Sequence, residues 1–276
     1  MKDILIRTLS GILFIGIMLG GLLVNKFLFA ALFILMIVGM MTEYYRMTFG
    51  GKFRYSRIVA IVTGVTFFAL IFCNCVWDFP LRYMSIAMIP LLVLMGMSIY
   101  SNDRGDFRMF SHIYTGLLYI AVPISVSSFL AFDGEGNFSG KLLLYLFIII
   151  WSSDVGAYLF GVLLGKRIPA KLFPSISPKK SWVGFFGGLA CSVSAAVILQ
   201  VTALLGYPLI QSIGLAIVMH VAGVYGDLFE SLWKRTYDLK DSGSIIPGHG
   251  GLLDRFDSSI MALPAALVYL VLTGLL

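Results

Sequence analysis

Long apolar runs, broken by short polar stretches, fill almost the whole chain. They fall at 9–24, 27–41, 56–73, 84–100, 112–132, 141–163, 182–204, 208–231 and 258–276. A helix needs about 20 apolar residues to cross the hydrocarbon core of a bilayer. The runs are continuous and not alternating, which selects helices over the strands of a membrane barrel. In lipid each backbone N–H and C=O must be satisfied internally, and a helix does that within one segment. The pattern therefore predicts an all-α polytopic membrane protein with about nine transmembrane helices. The first two runs are short and are separated only by Asn25-Lys26. They read as a tight helical hairpin that need not cross fully.

Composition agrees. Hydrophobic residues make up 59% of the 276 positions, and the mean hydropathy is +0.95. Soluble domains sit near 45–50% apolar, so the chain is read as one integral membrane domain, 1–276, with no soluble domain of any size. The three cysteines (Cys73, Cys75, Cys191) lie in or beside apolar runs and read as small packing residues. The first run lacks a small-x-small cleavage site and is expected to be a span.

Charge then sets the topology. With nine spans, 17 of the 20 lysines and arginines fall on one side: 16 in the N-terminus and segments 42–55, 101–111, 164–181 and 232–257, and Arg57 at the start of the run that follows the first of these segments. The positive-inside rule puts that side, and the N-terminus, in the cytoplasm. The net charge of +6 is explained by this topology and by anionic lipid. The basic residues are spread over several loops without a soluble recognition fold, so no nucleic-acid partner is expected.

Three polar stretches interrupt the apolar background. The longest, Asp227–Asp257, packs ten charged residues and His249 into 31 positions of a chain only 12% charged. Charge in or beside a bilayer is expensive and defaults to a functional reading. At helical spacing Asp227, Glu230, Ser231 and Lys234 share a face. Glu230 reads either as part of a site or as the partner of Lys234. Asp254 and Asp257 stand at the start of the last span, where Asp257 reads as a site residue or as its N-cap. Asp227 and Asp254 are candidate ligands for Mg²⁺, which takes one or two carboxylates plus phosphate oxygens. Lys234, Arg235 and Lys240 approach from the loop side, with Arg255 beside Asp254, as phosphate holders. In Gly248-His249-Gly250-Gly251, glycine lets backbone N–H groups approach an anion.

The second stretch is Trp151–Tyr158, W-S-S-D-V-G-A-Y, which places Asp154 inside the sixth span. It reads as a functional carboxylate, or as a hydrogen-bonded one joining helices. The third is Ser175–Gly188, S-I-S-P-K-K-S-W-V-G-F-F-G-G. There Lys179 and Lys180 lead into a glycine-rich helix start that attracts anions, or simply mark a cytosolic helix end. His112 reads as a boundary residue and His220 as a hydrogen-bond donor between helices.

The run Ser231-x-x-Lys234-Arg235-x4-Lys240-Asp241-x-Gly243-x3-Pro247-x-His249-Gly250-Gly251-x-x-Asp254-Arg255-x-Asp257 resembles the hallmark of the phosphatidate cytidylyltransferase family, the CDP-diacylglycerol synthases. The other two stretches resemble the same family, departing at Val155, Ser181 and Val183, while Trp233 departs within the hallmark. The resemblance covers the C-terminal half. It implies that CTP and phosphatidate are joined to give CDP-diacylglycerol and pyrophosphate, in phospholipid biosynthesis. It implies catalytic roles for Asp227, Asp254, Lys234, Arg235 and His249. Substrate contacts fall to Asp154, Ser177, Lys179, Lys180, Ser231, Lys240, Asp241, Gly250, Gly251, Arg255 and Asp257. His249 would bind or protonate the leaving pyrophosphate. Asp227 and Asp254 are implied ligands of a two-cation centre, Mg²⁺ with K⁺ as candidate second ion. A homodimer in the cell (inner) membrane with its active site facing the cytoplasm is also implied. Residues 1–135 would then be scaffold or dimer helices and 141–276 the catalytic helices, with cytosolic loops 164–181 and 232–257. The competing readings are a CTP-dependent polyprenol-type lipid kinase and a multi-pass transporter.

Overall fold

The computed structural model describes residues 2–100, 104–133, 135–165, 167–246 and 250–276. These form two compact units, one of Met1–Gly140 with Leu239–Arg255, the other of Lys141–Asp238 with Phe256–Leu276. The chain is nearly all helical. Eight helices among the described residues are long and apolar enough to cross a membrane, and a shorter apolar helix covers Thr8–Leu23. This is a multi-pass membrane protein.

In the first unit, α1 (Lys2–Leu23) and α2 (Lys26–Phe49) form the expected hairpin. Asn25 sits between them in extended conformation, and its side chain accepts the N–H of Phe27 and Leu28 at 2.9 Å each. That N-cap starts α2 cleanly. α2 runs to Phe49, eight residues past the predicted 41, because Thr42–Phe49 continue the helix with Glu43, Tyr44 and Tyr45 buried. α3 (Arg54–Trp77) follows, then a 3₁₀ turn (Leu81–Ala87) leading into α4 (Met88–Ile99). Phe29, Phe33, Phe68 and Phe72 cluster with Phe132 and Phe138, in edge-on, tilted and stacked contacts, at one end of these helices. At the other end the Tyr45 hydroxyl donates to the carbonyl of Ile113 at 2.8 Å.

The next apolar run is not one regular helix. It comprises α5 (Arg104–Gly116), a π turn (Leu117–Ala121), α6 (Val122–Val126) and a 3₁₀ turn (Ser127–Leu130). Pro123 has no N–H to give and its ring crowds the preceding turn. The wider π turn just before it absorbs the mismatch: the Val122 N–H reaches back to the Leu117 carbonyl.

The second unit holds α7 (Lys141–Leu164), the hairpin β1 (Lys171–Phe173) and β2 (Ser177–Ser181), α8 (Trp182–Val201), α9 (Leu209–Thr236) and most of α10 (Leu253–Leu272). Small residues let α7 and α8 touch closely, as membrane helices do without a hydrophobic driving force. A methyl group at Gly184 would meet the Ala157 carbonyl at 2.9 Å, and one at Gly188 the Ser153 carbonyl at 2.9 Å. His220 joins α9 to α7: its Nδ1 is 2.7 Å from the Ser153 hydroxyl, in keeping with the helix-to-helix reading.

Further boundaries differ from those expected. The 164–181 segment contains a two-stranded antiparallel hairpin, in register Phe173 with Ser177, where only a loop was expected. α9 extends through Thr236 instead of ending at 231. Its 28 residues span about 42 Å at 1.5 Å each, more than the ~30 Å core, so polar residues continue the helix beyond the lipid. α10 starts at Leu253, not 258.

Candidate active site

In the second unit, α7, β2 and α9 bring charged groups together. Lys180 on β2 extends its ammonium to Asp227 Oδ2 at 2.7 Å. The other oxygen of Asp227 accepts the Ser231 hydroxyl at 3.3 Å, one turn along α9. Asp154, exposed on α7, is within electrostatic range of both Asp227 and Lys180. Asp257 on α10 is likewise within electrostatic range of Asp227, Glu230 and Asp154. Segments far apart in sequence thus contribute to a single patch.

Local sequence explains the placement. Pro178 cannot donate a backbone hydrogen bond and stands exposed on the hairpin. Ser181, ending the hairpin, caps α8: its side chain accepts the Gly184 N–H at 3.1 Å. Lys180 therefore sits in extended backbone one residue before the cap. Lys179 and Pro178 are exposed and Ser177 half-buried.

Glu230 is fully buried, and its Oε2 pairs with Lys234 at 2.7 Å, one turn on. The pairing reading of Glu230 thus holds in this structure. Lys234 and Arg235 stand in the last turn of α9, and not on a loop as expected; positive charge there also complements the helix dipole. Trp233 packs between Phe229 and Tyr237, stacking on the latter at 6.0 Å. Asp257 is not an N-cap. It is the fifth residue of α10, and its Oδ1 accepts the N–H of Ser258 at 2.7 Å.

In the first unit the segment 239–255 folds around two carboxylates. Asp254, in the first turn of α10, accepts the backbone N–H groups of Ser242 and Gly251 on Oδ2, each at 2.9 Å. Ile246 and Gly250 form an isolated antiparallel bridge, and Gly250 has φ +89°, the region glycine adopts at no steric cost. Gly251 is buried. Lys240, Asp241 and Arg255 are exposed. Pro247, Gly248 and His249 lie outside the described residues, so the role expected of His249 is not placed.

The second carboxylate is Glu43 of α2, which the sequence reading did not single out. It is 3% exposed, and its Oε2 accepts the Leu253 N–H at 2.8 Å and the Ser242 hydroxyl at 3.4 Å. The one signal for it in the sequence is an acidic residue continuing the apolar run that becomes α2.

No group of three or more His, Cys, Asp or Glu side chains among the described residues is arranged to hold a metal alone. A magnesium ion that completes its shell with substrate phosphates and water needs only one or two carboxylates. Asp227 already takes a cation, Lys180, as its partner. Asp254 is held by two N–H donors, as ligating carboxylates commonly are. Both suit such an ion.

The membrane-length helices and this charged patch define a multi-pass membrane protein with polar groups gathered from several spans. The model of the Cytidylyltransferase family matches residues 5–273, and the chain belongs to that family. It is 38% identical over 181 residues to a phosphatidate cytidylyltransferase of Bacillus subtilis (strain 168), covering 66% of this chain and 65% of that one. A phosphatidate cytidylyltransferase of Staphylococcus epidermidis (strain ATCC 12228) is 36% identical over 66% of each chain. One of Staphylococcus aureus (strain COL) is 34% identical over 195 residues, 71% of this chain and 72% of that one. The first of these matches span about two thirds of the relatives' length.

Proposed function

We propose that the protein is a CTP:phosphatidate cytidylyltransferase, a nucleotidyltransferase of phospholipid biosynthesis that makes CDP-diacylglycerol and pyrophosphate. The observation that carries this reading is the Lys180–Asp227 pair, with Asp154 within its electrostatic range, in a chain matched by the Cytidylyltransferase family over nearly its whole length.

The chemistry asks for little beyond positioning. A phosphate monoester has a second pKa of about 6, so the attacking lipid phosphate is already ionised at neutral pH. Its oxygen attacks the α-phosphorus of CTP, and the bond to the β-phosphate oxygen breaks, releasing pyrophosphate. Two polyanions must be held in line and their charge offset. Lys179 and Lys180 are proposed to bind phosphate, Lys180 exchanging Asp227 for a phosphate oxygen. Ser177, Ser231, Lys234, Arg235, Lys240, Asp241, Gly250, Gly251, Arg255 and Asp257 are proposed to bind the substrates, and His249 to meet the leaving pyrophosphate. Exposed Asp154 is proposed to meet the lipid headgroup while its acyl chains stay in the bilayer. Asp227 and Asp254 are the proposed ligands of Mg²⁺, with K⁺ as candidate second ion. Bound there, the metal neutralises phosphate charge and orients the leaving group. The basic-residue distribution supports a cytoplasmic N-terminus and a cytoplasm-facing site in the cell membrane. A homodimer is part of the same proposal.

The test is CTP labelled in turn at the α- and γ-phosphorus, given to purified protein with phosphatidate. The α-label is expected in lipid, and excess chelator is expected to stop its transfer. Label reaching lipid from the γ-position points instead to a kinase, and no lipid label from either position removes the reading. Undiminished transfer with chelator removes the metal.

A further inference from the structure

We propose that Glu43 is a positioning residue, which holds Ser242, Gly251 and Leu253 in the arrangement that presents Asp254. This rests on the cytidylyltransferase reading for what Asp254 does, and on geometry alone for what Glu43 does.

A carboxylate on a membrane-length helix is expensive and needs a reason. Glu43 lies in α2, near its C-terminal end, and is 3% exposed. Gly39, one turn earlier on the same face, gives the close approach: a methyl group there would come within 2.7 Å of the Leu252 side chain. Glu43 then meets the next residue, accepting the Leu253 N–H at 2.8 Å across 210 positions of sequence. That N–H opens α10, where no preceding turn supplies an acceptor. Glu43 does what a capping side chain does, from another helix.

The same oxygen faces Ser242 and Gly251. The Ser242 hydroxyl is 3.4 Å away, and a methyl group at Gly251 would meet Glu43 Oε2 at 2.7 Å. Gly243 lies against the other oxygen, which is buried without a hydrogen-bond partner among the described residues. Ser242 and Gly251 are also the two residues whose N–H groups hold Asp254 Oδ2. Glu43 and Asp254 thus share Ser242, Glu43 through its hydroxyl and Asp254 through its amide, while Gly251 lies against Glu43 and donates its amide to Asp254. Loss of Glu43 would free the strands of chain that orient Asp254. Partners that orient a ligating carboxylate typically matter 10–100-fold in metal affinity or activity.

The experiment compares Glu43→Gln, Glu43→Asp and Glu43→Ala with wild type in lipid nanodiscs. Two quantities are read: the Mg²⁺ concentration for half-maximal α-label transfer, and amide hydrogen exchange of 242–253 without substrate or metal. Gln keeps an acceptor at the right reach, whereas Asp withdraws it by one methylene. Asp and Ala are expected to raise the Mg²⁺ requirement about tenfold or more and to speed exchange of 242–253 about tenfold. Gln is expected to stay within about threefold of wild type in both. Wild-type Mg²⁺ requirement and exchange in the Asp variant overturn the proposal. So does faster exchange across the whole first unit with an unchanged Mg²⁺ requirement, since that marks a merely structural role. Should Ala fail to insert, Asp against Gln decides. Should wild type transfer no α-label, the cytidylyltransferase reading fails, and the exchange measurement still decides whether Glu43 holds the segment.

Discussion

Two regions of this protein carry carboxylates of the same kind and treat them in opposite ways. In the second unit Asp227 is half-exposed and answered by a side chain, the ammonium of Lys180. In the first unit Asp254 accepts the backbone N–H groups of Ser242 and Gly251, and Glu43 that of Leu253. A lysine on a flexible stem can leave for a phosphate at small cost, since pairs open to solvent are worth little. A backbone N–H cannot leave without moving the chain. The first arrangement suits a group that exchanges partners during a reaction. The second suits one that must stay where the fold puts it.

The largest effect expected from this contrast is on turnover. Asp227→Asn and Asp254→Asn should each lower CTP-dependent product formation about 100-fold or more, while the protein still inserts. Only Asp254→Asn should also expose 242–251 to faster hydrogen exchange, because its Oδ2 holds two amides there. Equal exchange in the two variants breaks the comparison, and near-wild-type turnover in either removes that residue from the site.

Lys180→Met comes next. It should raise the KM for CTP about tenfold, as loss of one charge-assisted contact implies. The melting temperature should hardly move, because the ion pair is partly exposed. A large fall in stability with unchanged KM would make the pair a structural one, like those of the first unit.

Gly251→Ala sharpens the comparison from the other side. The added methyl meets Ser242 and the Glu43 carboxylate, and overpacking of this kind costs about 1–3 kcal/mol. Gly96→Ala in α4 meets nothing within 4 Å and should be neutral or stabilising by up to about 1 kcal/mol. Thermal unfolding in detergent reads both. Equal melting temperatures for the two variants would show that the Glu43 environment can give way.

The smallest effect is on Asp133, an exposed version of the backbone-held carboxylate. It accepts the N–H of Asn137 at 2.8 Å and of Glu135 at 3.0 Å, and chiefly the Asn137 N–H holds it below the usual carboxylate range. A depressed value means the contact stabilises the turn above the unfolded carboxylate pKa. That contribution is lost as the pH falls through the lower folded value. The Asn137 amide resonance should therefore titrate below the usual range, with no change in activity. Titration at the ordinary carboxylate value would show that the turn is not held this way.

How much of this was legible in sequence varies with range. The helices were, because a span's apolar length is a local property. Their ends were less so: α9 runs on to Thr236 and α10 begins at Leu253, since a helix can outlast the lipid once its polar residues find partners. Lys234 paired with Glu230 was open to reading, since residues four apart on a helix are neighbours. Lys180 against Asp227 was legible as two candidates and not as a pair. The hairpin carrying Lys180 was missed because three- and five-residue strands leave almost no periodic trace.

By itself, the sequence determined that this chain is a bundle of membrane helices with charge gathered at a few breaks, and which family those breaks resemble. Apolar length and composition settle that, because lipid leaves helices as the open solution for such runs. Only the tertiary structure decided which charges meet. Glu43 and Leu253 are 210 positions apart, and no spacing rule links them. Their contact exists because Gly39 lets α2 approach Leu252, and because the first amide of α10 has no acceptor in its own helix.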